Sequence, residues 1–101
     1  MALKINWTEK ARMDGKEIFT YWNKRNKSKS YSQKLNALFN KHVEYLHTFP
    51  KIGKQTDYDP IRFLIVKDYL IFYKVFPQDI FILRIWDSRQ DPEKVDDILK
   101  V

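Results

Sequence analysis

IRFLIVKDYLIFYKVFPQDIFILRIWDSR, residues 61–89, decides the fold. Val, Ile, Tyr, Phe and Trp dominate it, and two short polar or proline-containing breaks divide it, Lys67-Asp68 and Pro77-Gln78-Asp79. The pattern predicts three consecutive strands, at 61–66, 69–76 and 80–87. Connections this short join only antiparallel neighbours, because a parallel return needs a crossover of about a dozen residues or more. The stretch is therefore predicted to be a meander, with one face to be covered by what precedes it.

Three arginines interrupt this apolar run. In Ile82-Leu83-Arg84-Ile85-Trp86, strict alternation puts Arg84 with Ile82 and Trp86 on one face and Leu83 with Ile85 on the other. Arg62 shares a face with Leu64 and Val66, and Arg89 follows the last strand. An arginine on an apolar strand needs a partner or an opening to water. Two readings follow. Either the arginines pair across strands with Asp87, Asp68 or Asp57, or they gather on a concave face left bare by the helices and bind phosphate or an acidic peptide.

Working outward, Leu3-Lys4-Ile5-Asn6-Trp7 alternates as a short half-buried strand, and Thr8 is a suitable N-cap. Ala11, Gly15, Ile18, Phe19 and Trp22 then fall on one helical stripe. Asn23–Ser30, without an apolar residue, reads as the turn of a helical hairpin. Ser30 and Gln33 have the spacing of a capping box, and Leu35, Leu38, Phe39, His42, Leu46 and Phe49 form one face of a second helix that Pro50 ends. Lys51–Pro60 reads as a loop. Past the meander, Asp91-Pro92 is predicted to open a last short helix with Val95, Ile98 and Leu99 on its apolar face. The predicted order is β-α-α-β-β-β-α, an α/β (α+β type) fold in one domain over residues 1–101, with the helical hairpin packed on one face of a small, mainly antiparallel sheet. The pattern leaves open which edge of the meander the first strand joins.

At 101 residues and 44% hydrophobic composition the chain can bury a core. The absence of cysteine excludes a disulfide framework and a Cys-ligated zinc site. Neither a signal-like start nor a run of membrane-spanning length is present, so the expectation is a cytoplasmic protein without membrane association. The net charge of +6 lies wholly in the first half, where ten lysines and arginines face four aspartates and glutamates; the second half holds nine of each. A basic small domain points to an anionic partner.

Phosphate loops, HExxH and metal-ligand clusters are missing from the sequence. His42 and His47, five residues apart on a helix, fall on different faces, and Asp96-Asp97 reads as a solvated pair. Lys24, Arg25, Lys27 and Lys29, with Lys34 and Tyr31 close by, form a candidate basic patch for phosphates. The plainer reading is a turn kept polar for solubility.

With these residues in place, the chain as a whole resembles the RelE/ParE toxins of type II toxin–antitoxin systems. Trp7-Thr8-Glu9-Lys10-Ala11 is similar to the family's opening strand and helix start, and Phe49-Pro50-Lys51-Ile52-Gly53 to its segment after the hairpin. Asp68-Tyr69-Leu70-Ile71-Phe72-Tyr73 resembles the third strand, and the run from Ile82 to Pro92 the last strand with its trailing arginine and D-P turn. The resemblance covers nearly all of residues 3–99. It implies a growth-inhibiting toxin, in a family associated with plasmid stabilisation, held by a cognate antitoxin in a hetero-oligomer. RelE-like members cleave mRNA on the ribosome without a metal or other cofactor, using cationic side chains on the phosphate. ParE-like members inhibit DNA gyrase.

By this resemblance Arg62 and Arg89 fall on the family's basic positions; with Arg84 they are the catalytic candidates of a nuclease, and with Arg84 and Lys67 the candidates for binding phosphate or the target. Where nuclease members carry an arginine inside the third strand, this chain has Leu70 or Ile71. Where they often carry a tyrosine in the C-terminal helix, it has Val95. The expectation is thus a toxin that is ParE-like or of undetermined target, with an mRNA endonuclease as the first alternative and a non-toxic family member as the second.

Overall fold

The structure, a computed structural model, describes residues 3–90 together with Lys94, Val95 and Leu99. A five-stranded sheet runs in the order β1-β5-β4-β3-β2, with β1 at Lys4–Trp7, β2 at Lys54–Gln55, β3 at Arg62–Val66, β4 at Tyr69–Val75 and β5 at Asp79–Asp87. The meander is β3, β4 and β5, within a residue of its predicted bounds at each end, and all its pairings are antiparallel. The first strand joins its β5 edge in parallel, from Lys4 opposite Asp79 to Trp7 opposite Ile82. Its return crossover contains both helices, α1 (Glu9–Asn26) and α2 (Ser30–Glu44). The predicted loop at 51–60 contains β2, which pairs with Phe63 and Arg62 at the other edge.

Thr8 caps α1, its Oγ1 accepting from the Ala11 amide at 3.1 Å. The helix runs on to Asn26, so the hairpin turn shrinks to Lys27–Lys29, and Lys27 closes the helix at φ 50° and ψ 35°. The capping box does not form. Ser30 is already helical, Lys29 stands at the N-cap without a side-chain bond, and Ser28 Oγ takes the Ser30 amide instead. The second helix also ends earlier than predicted. At Tyr45 the chain tightens into one 3₁₀ turn, Tyr45–His47, which rotates the stripe. Val43 and Leu46 are buried, His42 is half-buried with its ring edge-on to Tyr45, and Phe49 is exposed.

The sheet has two apolar sides. Ala11, Leu35, Phe39, Val43 and Leu46 from the hairpin pack with Val66, Tyr69, Ile71, Tyr73, Ile80, Ile82 and Ile85. On the opposite side Phe72, Trp86 and Leu99 gather Tyr58, Ile61, Phe63, Leu70, Leu83 and Val95. Val95 and Leu99 are helical, as predicted; Asp91-Pro92, Asp96-Asp97 and Ile98 lie outside the described residues.

Ile82 and Ile85 line the same core, and so do Leu83 and Trp86, which strict alternation forbids. The register supplies the reason. Phe72 faces Arg84 while the next residue, Tyr73, faces Ile82, so Leu83 is an extra residue on β5. A β-bulge of this kind inverts the phase of everything after it. The assignment of Arg84 to the face of Ile82 and Trp86 is therefore corrected: β5 changes phase between its halves, and Arg84 sits at the join.

Candidate functional site

β1 ends opposite Ile82, so the far half of β5 has no strand beyond it and α1 takes over the edge. Thr8 ties the two together, its amide donating to the Ile82 carbonyl at 3.1 Å and its hydroxyl to the Leu83 carbonyl at 3.0 Å. Less than two helical turns later Asp14 faces β5. Its Oδ2 accepts from Arg84 Nε at 2.7 Å and from the Ile85 amide at 3.0 Å, and its Oδ1 accepts from Arg84 Nη2 at 3.0 Å. One carboxylate thus satisfies an edge-strand amide and grips a guanidinium at two points, the geometry in which arginine binds carboxylate best. The bond to Asp14 raises the Arg84 pKa above its ordinary value, against the desolvation that would lower it.

Between α1 and this half of β5 lies a cleft of about 430 Å³, with Arg84 and Arg89 both in its lining. Arg89 makes its own two-point contact, Nε to Asp87 Oδ1 at 2.9 Å and Nη2 to Asp87 Oδ2 at 2.8 Å. That bond holds the Asp87 carboxyl below the ordinary aspartate range and pushes the Arg89 pKa up. The Arg89 guanidinium also stands 5.8 Å from the Trp22 ring centre. Trp22 Nε1 in turn donates to Tyr69 Oη at 2.8 Å, and burial raises the Tyr69 pKa.

The cleft is consequently not a cationic pocket. Asp14, Glu17 and Asp87 outnumber Arg84 and Arg89 in its lining, and each arginine is held by a carboxylate of this chain. A phosphate entering here would meet two ion pairs and one further carboxylate, Glu17. The chemistry suits a polar or cationic group against aromatic walls better than a phosphodiester.

Arg62 is elsewhere. Its Nη1 donates to the carbonyls of Gly53 at 2.9 Å and Lys51 at 3.2 Å, holding the segment after α2 against β3. Gly53 is pressed onto the sheet, its amide 2.8 Å from Tyr73 Oη, and a Cβ there would lie 2.5 Å from that oxygen. Arg62 does not line the cleft, and neither does Lys67, an exposed residue at φ 56° in the β3–β4 turn. Of the arginines' two readings, pairing with carboxylates describes Arg84 and Arg89. Neither pair is across strands, however: the partner of Arg84 is on a helix, and that of Arg89 lies two residues before it on the same segment. None gathers on the face away from the hairpin: the bulge turns Arg84 toward α1, and Trp22 of α1 draws Arg89 the same way. The basic residues Lys24, Arg25, Lys27 and Lys29 are exposed on the hairpin turn and do not line the cleft.

Asp14 and Tyr69 complete the cleft and Trp22 backs it through Arg89 and Tyr69, and the sequence reading assigned none of the three a role there. Asp14 carried a usable signal: it lies on the apolar stripe of α1, three residues after Ala11 and beside Gly15, where a carboxylate needs a buried donor. Leu70 and Ile71, where nuclease members of the resembled family have an arginine, are half-buried and fully buried apolar residues. Val95 packs on the second cluster.

No curated protein matches the sequence. A solved structure described as "Chromosomal ParDE TA system from P. aeruginosa" has the same fold, with a TM-score of 0.76 over 87% of this chain and 98% of that one, at 20% identity. The family model "ParE toxin of type II toxin-antitoxin system, parDE" matches residues 5–92, from β1 through the cleft to the start of the C-terminal segment. The chain belongs to the ParE family of toxins of type II toxin–antitoxin systems.

Proposed function

We propose that this toxin inhibits its target by binding, with DNA gyrase as that target, and does not cleave RNA. One observation carries the proposal: both arginines of the cleft are held at two points by carboxylates of the same chain, Arg84 by Asp14 and Arg89 by Asp87. Phosphodiester cleavage without a metal needs preorganised cations facing the charge that develops on phosphate, and each such donor is worth on the order of 3 kcal/mol. Guanidiniums already facing carboxylates supply little of that. The apolar residues at 70, 71 and 95 support the same reading.

A cognate antitoxin is the expected cellular partner, by analogy with the ParDE system whose toxin-like fold this chain shares. Phe49 and Ile52, exposed together after α2, are apolar surface that such a partner would cover. Among the described residues no helix is long and apolar enough to cross a membrane. Action in the cytoplasm, where gyrase works, is part of the same proposal.

The test is a supercoiling assay with purified gyrase, run beside translation reactions in which mRNA integrity is followed. Inhibited supercoiling with intact mRNA is the expected result. Discrete mRNA ends with undisturbed gyrase would replace the proposal with the endonuclease alternative, and unchanged growth on induced expression would replace it with a non-toxic member.

A further inference from the structure

The charge excess of this chain is concentrated where α1 turns into α2, and folding explains only part of it. Lys24, Arg25, Lys27, Lys29 and Lys34 are all exposed, and residues 24–34 contain no carboxylate. None of the five takes part in an ion pair among the described residues. Lys24 and Arg25 have a local rationale, since cations in the last turn of α1 complement the helix dipole. The others run against local preference. Lys27 occupies the left-handed region at φ 50°, where glycine sits without penalty and a side chain costs about 1–2 kcal/mol. Lys29 stands at the N-cap of α2 without a capping bond, and the first turn of α2 holds no acid, so its charge opposes the dipole. Solubility alone is served as well by mixed charges. Rules broken together in one short turn mark a functional surface.

The turn is also held in place. Ser32, 5% exposed, brings its Oγ within hydrogen-bond reach of Asn23 Oδ1 and of the Lys29 carbonyl. The rings of Trp22 and Tyr31 meet edge-on at 4.7 Å across the two helices, and the Ser28 amide donates to the Asn23 carbonyl. The backbone carrying the cations is thus ordered before any partner arrives, which lowers the cost of binding.

We propose that this turn binds the phosphate backbone of duplex DNA. Charge complementarity selects a polyanion. A protein interface is centred on a cluster of packed anchors, mostly Trp, Tyr and Arg, and NKRNKSKS at 23–30 offers one arginine and no aromatic. A single strand would require several open aromatic faces for stacking, whereas Trp22 and Tyr31 are half-buried and pack edge-on, and of the three rings at the turn Tyr21 alone is half exposed. A duplex backbone requires only cations that release its counterions. The proposal is independent of which enzyme the toxin inhibits.

The experiment measures fluorescence anisotropy of a labelled mixed-sequence duplex with the purified chain across a salt series. The triple variant Lys24→Gln, Arg25→Gln, Lys29→Gln should flatten the slope of log affinity against log salt by about 0.9 for each phosphate no longer neutralised. A control of equal charge change, Lys41→Gln, Lys51→Gln, Lys54→Gln, should keep the wild-type slope. Lys27→Gly separates binding from folding: it should raise the unfolding midpoint while lowering the slope by about 0.9. Equal flattening in the two triple variants would reduce the effect to net charge and overturn the proposal. So would an unchanged slope in Lys27→Gly, or tighter binding of a single strand or of poly-glutamate than of the duplex.

Discussion

Replacing Asp14 by Ala would leave three donors without their acceptor: Arg84 Nε, Arg84 Nη2 and the Ile85 amide. The two side chains of the pair are only 13% and 23% exposed, so water replaces the carboxylate incompletely. An orphaned edge amide costs about 1–3 kcal/mol and a broken charge-assisted bond about 1.5–3, reduced here because Arg84 reaches solvent at one end. The expected loss is about 2–4 kcal/mol, below the about 3–5 kcal/mol of a fully buried pair broken on one side. Urea unfolding should show it as a lower midpoint at constant slope. Asp14→Asn, which keeps one acceptor, should fall between wild type and Asp14→Ala. Arg84→Met should cost less than Asp14→Ala, and the double variant should fall short of additivity by about 1 kcal/mol or more. If Asp14→Ala cost under about 0.5 kcal/mol and added fully to Arg84→Met, the pair would be a solvated one and the compensated cleft would lose its foundation.

Further outcomes follow from packing and charge. Gly53→Ala should destabilise by about 2–4 kcal/mol in the same unfolding assay, because its Cβ displaces Tyr73 Oη and the loop held by Arg62. Gly15→Ala should stabilise by about 0.5–1 kcal/mol, since its Cβ meets Ile85 at an ordinary 3.8 Å. Asp87 has a folded pKa below its unfolded one, so its contribution is present above the unfolded value and lost as pH falls through the folded one. With Arg89 half exposed this amounts to about 1 kcal/mol or less, and Arg89→Gln should flatten stability across that acid range. Tyr69 and Tyr73 are raised by burial, so the unfolded chain ionises first and stability should fall as pH climbs past the ordinary tyrosine value of about 10. In a spectrophotometric titration Tyr69 and Tyr73 should ionise above the ordinary tyrosine value.

Where a periodic pattern spans an element, the sequence was legible. β-branched and aromatic residues broken at Lys67-Asp68 and Pro77-Gln78-Asp79 give the meander, and the stripe from Ala11 to Trp22 with Thr8 before it gives α1. The features that escaped are relational. An extra residue at Leu83 shows only when its partner strand is known, because nothing within Ile82–Trp86 departs from alternation. The edge that β1 joins depends on where the crossover helices pack, and β2 is two polar residues with no pattern at all. The end of α2 was misplaced because Phe49 continues the helical spacing that the chain abandons at Tyr45. The cleft was half legible: its arginines stand out against apolar strands and Asp14 breaks the apolar stripe of α1, whereas the donors that carboxylate meets show only when β5 is brought beside it.

The parallel pairing of β1 with β5 has a consequence for the order in which the molecule comes into being. Thr8 at the end of β1 bonds to Leu83, 75 residues away, and every strand between them is synthesised first. At translation speeds of about 5–20 residues per second, the N-terminal strand waits on the order of ten seconds for its partner. Until then the hairpin has only part of the sheet to cover, and the Asp14 carboxylate has no guanidinium to hold. A chain truncated before Ile82 can close neither the sheet nor the cleft. In this fold the cleft is therefore incomplete until β5 has been made, and the apolar face of the hairpin stays partly uncovered over that interval.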